Sequence, residues 1–232
     1  MERPLYNVFT AVPGRYDLVN RIITLGMDKW WRQKAAEECL KTRPETVLDL
    51  CCGTGDLAIN ISRLAVNDPE VIGLDYSHPM LGIAMKKAAP LTKKPSFISG
   101  DAAAIPFPDG YFDCVGISFA FRNLIYKNPL AQYHISEIVR VLKPSGKFVF
   151  VESSQPKDGP LRILFQLYLR QFVFRIGKLI SGNEQAYHYL AESAARFYTP
   201  RELKQILGNA GFGEIFFRPI LFGVVGIHVA SK

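Results

Sequence analysis

The sequence predicts an α/β fold in which a mostly parallel sheet is covered by helices on both faces. Three observations lead there. Strand-like and helix-like runs alternate from residue 46 onward. The strand-like runs are almost continuously apolar, which suits strands buried on both sides. The first of them, TVLDL, enters a glycine turn, CCGTGD, and then a helix-like run. In open parallel sheets ligands bind beyond the carboxyl ends of the strands, where strand order reverses.

The elements follow in order. Residues 5–42 carry aromatic and basic side chains at helical spacing, including RYDLVNRIITLGMDKWWRQKAAEECL. Residues 1–42 are expected to form a helical lid. TVLDL is the first strand and DLAINISRLA the first helix of the alternation. VIGLD, PMLGIAMKKAA, SFISG, DCVGISF, PLAQYHISEIVRVL and GKFVFVES continue it. After residue 156 the alternation stops, and 157–198 read as a helical insertion. Within it, 161–180 set Leu161, Phe165, Tyr168, Leu169, Phe172, Ile176 and Leu179 on one helical stripe. TPRELKQILGNAGF reads as a capped helix, with Pro200 at its first position and Gly211 past its end. GEIFFRP and GVVGIHVA close the chain as strands, and 1–232 read as one domain.

Composition narrows the classes. The chain has 232 residues, 48% hydrophobic, enough for one sizeable core. Lys and Arg number 28 against 21 Asp and Glu, a net charge of +7, which suits an anionic partner or simply a basic surface. Cys39, Cys51, Cys52 and Cys114 show no metal-ligand spacing and are expected to be reduced thiols; no metal is expected. MERPLYNVFT lacks the apolar core of a signal peptide, and no run of 18 uncharged apolar residues occurs. The expected location is cytoplasmic, with peripheral contact to the inner face of an anionic membrane as an extension of it.

The glycine turn points to an adenosine-containing ligand. Gly53 and Gly55 let the backbone turn sharply and approach a ligand closely. Asp75, ending the next strand, stands at the offset from which a carboxylate reaches a ribose diol; a helix cap before SHPML is the alternative. Ala58 occupies the third position of the dinucleotide glycine pattern, which by itself excludes little. Asp49 and Asp56 flank the turn, and two carboxylates there repel a pyrophosphate and favour a cation. S-adenosyl-L-methionine, with its sulfonium and ammonium groups, matches that sign pattern. Asp101 and Ala102 suit the edge of an adenine ring.

LDLCCGTGD, GLDYSHPML, GDAAAIPFPDGYFDCVGISFAFRNL and EIVRVLKPSGKFVFVE resemble the motifs of class I methyltransferases. RYDLVNRIITLGMDKWWR, SFAFRNL, AYHYLAES and GVVGIH narrow the resemblance to the quinone C-methyltransferases of menaquinone and ubiquinone biosynthesis. It spans nearly the whole chain. The resemblance implies a Rossmann-like, seven-stranded sheet with an antiparallel last strand. It implies cofactor contacts at Thr54, Asp75, Asp101, Ala102 and Ser118, to which Asp49, Gly53, Gly55 and Tyr76 are added here. The chain departs from the family pattern at Ala120 and Phe121, where Gly-Leu is usual, at Ala191, where Pro is usual, and in its HVASK ending. These departures are expected to touch the substrate side.

Methyl transfer to carbon needs an electron-rich ring, so the substrate implied is a prenylated quinol and not the oxidised quinone. Arg122 is the expected stabiliser of a developing phenolate, and Asn123 would orient a water that accepts the proton. Tyr16 and Asp17 lie in the lid, and His188 is the alternative titratable group. The 161–180 stripe has four readings: a channel for the prenyl tail, a face lying on the membrane, packing on the domain's own core, or a homodimer contact. Demethylmenaquinol is favoured, with a ubiquinone-pathway benzoquinol or another small aromatic or lipid as alternatives. An RNA-binding enzyme is disfavoured because SFAFRN replaces the amino-nitrogen methylation motif after the fourth strand, so no nucleic acid is expected. A nicotinamide oxidoreductase ranks third.

Overall fold

β1 (Thr46–Leu50) is the hub of the sheet, pairing in parallel with β2 (Glu70–Asp75) on one side and β4 (Phe112–Ser118) on the other. The computed structural model describes residues 13–157, 159–181 and 184–232; the side chains of 13–16, 181, 185 and 186 lie outside that description. Tyr16 and the first 12 residues of the expected lid therefore fall outside the described side chains. β2 pairs with β3 (Ser96–Ser99), and β4 with β5 (Leu142–Ser153), all in parallel. β7 (Val225–Ser231) runs antiparallel to both β5 and β6 (Ile215–Ile220). The seven-stranded order is β3-β2-β1-β4-β5-β7-β6, so the order reverses between β1 and β4. There the crevice for a ligand opens.

The strands are apolar on both faces because both are covered. Leu48, Leu50, Ile72, Leu74, Val115, Ile117, Phe148 and Phe150 point to one core. It is closed by α5 (Phe121–Ile125), α6 (Ala131–Val141) and α10 (Pro200–Asn209). The alternate residues Val47, Val71, Cys114, Val149 and Val151 point to the other, under α2 (Met27–Cys39) and α3 (Asp56–Leu64). α4 (His78–Ala88) follows β2. Gly73 in β2 must lack a Cβ: one built there would meet the Phe97 ring at 2.6 Å and Cys52 Sγ at 3.0 Å. α10 begins as its sequence requires, with Thr199 and Glu202 exchanging hydrogen bonds in a capping box.

The helical insertion departs from a single 3.6-residue stripe. α7 (Gly159–Leu167) passes into a π-helical turn (Tyr168–Val173) and then α8 (Phe174–Ser181). The buried residues are Phe165, Leu169, Val173 and Gly177, spaced by four. An α-helix drifts about 40° over each such step, and the wider π turn absorbs the drift. Phe165, Leu169 and Val173 pack on Ala194 and Ala195 of α9 (Glu184–Ala195) and on Ile23 of α1 (Pro13–Ile23). Phe165 and Leu169 of the stripe are thus core, while its Phe172 and Leu179 are exposed.

His228, in GVVGIH, is buried on β7, its ring 4.4 Å from Phe150 and parallel to it, and 4.7 Å from Phe217. Burial pulls its pKa down to about 3. The folded imidazole stays neutral where the unfolded one takes up a proton. Its stabilisation is therefore present above the unfolded pKa near 6.5 and is lost as pH falls toward 3, with a limiting slope of about 1.4 kcal/mol per pH unit. His228→Phe is expected to flatten the acid limb of a Tm-against-pH profile relative to wild type. Parallel profiles would exclude His228 as a source of acid sensitivity.

Candidate active site

The turn after β1 is built from left-handed residues: Cys51, Gly53 and Gly55 have φ of 57°, 54° and 79°. Two buried carboxylates hold it. Asp75 accepts from Gly53 N–H through Oδ2 and from Ser77 N–H through Oδ1, both at 2.8 Å. The Tyr76 amide faces the same carboxylate, and burial raises the Asp75 pKa. Asp49 Oδ2 accepts from Ala58 N–H at 2.9 Å, supplying the first turn of α3 with the cap that Gly55 cannot. Burial pushes the Asp49 pKa up to about 8.

The sign argument for a cation is corrected: neither acid flanking the turn offers an unanswered negative charge, since burial favours the neutral form of Asp49. Asp56 does not face an open site: Lys87 pairs with it directly, and Arg32 stands at 4.0 Å. Lys87 also holds Asp17 at 3.0 Å and Thr54 Oγ1 at 3.2 Å, while Thr54 donates to Asp17 at 2.8 Å. The Thr54 hydroxyl therefore ties α1 to the glycine turn. Asp101 accepts from Ala103 N–H at 3.1 Å, beside buried Ala102. The β2 end reaches this loop through Gly100 N–H to Asp75 O at 3.1 Å.

Among the described residues, the buried polar side-chain atoms lacking a hydrogen-bond partner gather at one edge. Asp49 Oδ1, Ser77 Oγ, Ser118 Oγ, Asn123 Oδ1, Ser154 Oγ and Gln155 Oε1 lie at or just past the carboxyl ends of β1, β2, β4 and β5. The seventh, Trp31 Nε1, belongs to a ring packed 5.8 Å from Phe119, next to Ser118. Unpartnered buried polar groups are costly and rare, so their concentration at the crevice marks where a polar ligand belongs. A Cβ at Gly53 would meet nothing within 4 Å, which leaves the turn open on that side. This set fits a ligand with several polar groups, including S-adenosylmethionine. Cys51 and Cys52 are free thiols whose pKa burial pushes well up, so they pack and do not attack.

Arg122 is not a solvent-facing cation. It is 5% exposed and pairs with Glu152, itself fully buried, at 2.7 Å through Nη1. Its Nε donates to Ser193 Oγ at 2.9 Å and its Nη1 to Ser153 Oγ at 3.2 Å. Nη2 alone makes no hydrogen bond among the described residues. Glu152 and Ser193 escaped the sequence reading, although an acid inside the apolar run GKFVFVES is itself a signal of a buried pair. His188 stands apart from this group, exposed and edge-on to Phe174 at 5.8 Å. Its neighbour Tyr189 is the residue facing Arg122, Glu152 and Tyr126, and burial raises its pKa. The departures at Phe121 and Ala191 are both buried side chains. Phe121 is wholly buried 4.5 Å from Phe150, and Ala191 is buried in α9.

The sequence matches the ubiE/COQ5 methyltransferase family over residues 1–232. It is 40% identical over 227 residues to a protein of Thermus thermophilus named demethylmenaquinone methyltransferase, covering 97% of this chain and 100% of that one. It is 34% identical, covering 97% and 90%, to a Coxiella burnetii protein named ubiquinone/menaquinone biosynthesis C-methyltransferase UbiE. In fold it resembles a SAM-dependent methyltransferase of Aquifex aeolicus, with TM-score 0.56, 19% identity and coverage of 84% and 88%. It also resembles human N-acetylserotonin methyltransferase in complex with SAM, with TM-score 0.64, 16% identity and coverage of 99% and 60%.

Two outcomes follow from this geometry. Glu152→Ala strands the Arg122 charge in the interior and is expected to cost about 3–5 kcal/mol in chemical denaturation; a loss below about 1 kcal/mol would mean the pair is solvated. Asp49 is raised, so its contribution is complete below about pH 4 and is lost as pH rises through 8. Asp49→Asn is expected to raise Tm above wild type at pH 8 and by less at pH 5, and equal shifts at both would contradict the burial of that charge.

Proposed function

The chain belongs to the ubiE/COQ5 methyltransferase family, and from that membership we propose that it methylates a ring carbon of a prenylated quinol, demethylmenaquinol first. That it is an S-adenosylmethionine-dependent methyltransferase follows from the family and its named relatives. The choice of demethylmenaquinol rests on the relatives that carry that name at 40% identity across nearly the whole chain. The observation that brings the chemistry to particular residues is the segment Ser118–Asn123. Its two ends present partnerless buried oxygens, and Arg122 between them keeps Nη2 unused.

When bound, S-adenosylmethionine supplies a methyl group made electrophilic by its sulfonium. Asp75 is proposed to receive the ribose diol, Tyr76, Asp101 and Ala102 to flank the adenine, and Ser118, Gly53, Gly55 and Asp49 to surround the methionyl end. Asp49 shifts toward its carboxylate when a cation lies beside it. Thr54 acts through the turn it braces. On the substrate side, Arg122 Nη2 stabilises the phenolate that forms as a ring hydroxyl loses its proton. Asn123 Oδ1 accepts from that hydroxyl or from a water beside it. The ring carbon exchanges its hydrogen for methyl, that hydrogen leaving as a proton while the ring oxygen regains the one it lost, so that one proton in all is released to water. An oxidised quinone lacks the electron density for this attack. Tyr189 replaces His188 as the titratable group facing Arg122.

A benzoquinol is the second reading, favoured by the dual pathway in the name of the Coxiella burnetii relatives. Among the described residues no helix is long and apolar enough to cross a membrane. A prenylated substrate partitions into the bilayer, so peripheral contact with an anionic membrane is part of the proposal.

The test is transfer of label from methyl-labelled S-adenosylmethionine to a short-chain demethylmenaquinol kept reduced, beside its oxidised form. Ring-carbon labelling of the quinol alone is expected, falling at least about a hundredfold in Arg122→Lys. Labelling of the oxidised quinone, or of a benzoquinol alone, would displace the proposal.

A further inference from the structure

Two exposed apolar features that the core does not explain lie side by side at the site's end of the sheet. The first is the tip between β6 and β7. Leu221 and Phe222 both hold left-handed φ, 49° and 55°, a conformation unfavourable for bulky side chains. Phe222 is nevertheless 85% exposed. The second is the outer side of α7, where Ile163, Leu164 and Leu167 are exposed at i, i+1 and i+4, opposite buried Phe165.

The two are joined through the end of β5. A Cβ at Gly223 would lie 3.7 Å from Pro156 Cα, and Arg162 Nε donates to Pro156 O at 3.2 Å. Val224 packs into the same cluster as Phe165 and Leu169. Pro156 follows Glu152 and Ser153, which hold Arg122, so the apolar face adjoins the reacting end of the crevice.

Charge identifies the occupant. Residues 159–181 contain Arg162, Arg170, Arg175 and Lys178 and no acidic residue. Glu192 and Glu184 answer Arg170 and Lys178, while Arg162 and Arg175 make no ion pair among the described residues. Apolar side chains fringed by cations suit the boundary between acyl chains and anionic head groups.

We propose that the β6–β7 tip and the outer side of α7 together form a docking face for an anionic lipid bilayer, with Phe222 inserting below the head groups. The inference rests on the membrane part of the proposed function, but its residues are not those of the 161–180 stripe, whose inner members are core. Docking there brings the mouth of the crevice to the bilayer surface, where a prenyl tail can remain immersed while the ring enters.

The test is cosedimentation of the full chain with phosphatidylcholine vesicles, with and without phosphatidylglycerol, in the absence of quinol and cofactor. Failure of the methyl-transfer assay would leave this result standing. Leu221→Asn/Phe222→Gly places residues suited to left-handed φ at the tip. It is expected to raise Tm while weakening binding to anionic vesicles about tenfold or more. Ile163→Gln/Leu164→Gln, which leaves the tip intact, is expected to weaken binding by a similar factor. Both should methylate a tailless quinol at the wild-type rate. Wild type that ignores anionic vesicles, or variants that bind them as tightly, would overturn the proposal. So would variants whose sole effect is to convert a dimer to a monomer.

Discussion

The carboxylate of Asp75 is the constraint on which the ligand end of the molecule depends. A parallel strand that ends at the rim of a covered sheet leaves backbone N–H groups that no neighbouring strand can pair. Asp75 meets two of them, Gly53 N–H from the β1 loop and Ser77 N–H from its own. Its backbone carbonyl takes a third, from Gly100 after β3. Three loops from three strands are thereby fixed to one residue. With the amides satisfied from below, the upper side of the crevice is left to orphaned hydroxyl, amide and carboxyl oxygens.

The other side of the crevice is organised by the buried pair of Arg122 and Glu152. Such a pair contributes little net stability, because desolvation offsets most of the Coulombic attraction. Its value is geometric. Glu152 accepts from Arg122 N–H and Nη1 and from Ser153 N–H, and Arg122 reaches across to Ser193 on α9. The ends of β4 and β5 and one helix of the insertion are locked in a single hydrogen-bonded set. A guanidinium held through Nε and Nη1 has only one direction left for Nη2. Preorganisation of that kind lets a charge act on a developing anion without reorganising first.

Much of this was legible in the sequence, and the failures have physical causes. The strands, the glycine turn and the capped helix at Pro200 rest on local chemistry, which period and turn residues report. Asp56 reads as facing a ligand because its partner, Lys87, is 31 residues away, and sequence spacing does not reveal such pairs. The pairing of Arg122 with Glu152, 30 residues away, is hidden for the same reason. His188 and Tyr189 are adjacent, and only the phase of α9 decides which of them faces inward. That phase is set by packing against α7 and α8, not by α9 alone.

The π-helical turn at Tyr168–Val173 has a consequence for how this chain can change. Surface loops tolerate insertions and deletions because little depends on their phase. Here the turn acts as a gear between two helices: four-residue steps from Phe165 to Gly177 would drift by about 120° in a continuous α-helix, and one residue removed within the turn would take back about 100° of that as the turn reverts to α. Gly177 would then stay beneath the Tyr187 ring, whereas a residue removed from the α-helical stretches on either side would swing a side chain to the place where a Cβ comes within 2.0 Å of that ring. The segment joining the sheet to α9 is therefore fixed in phase, and the π turn is the one place along it where the length can change by a residue without disturbing the helices on either side.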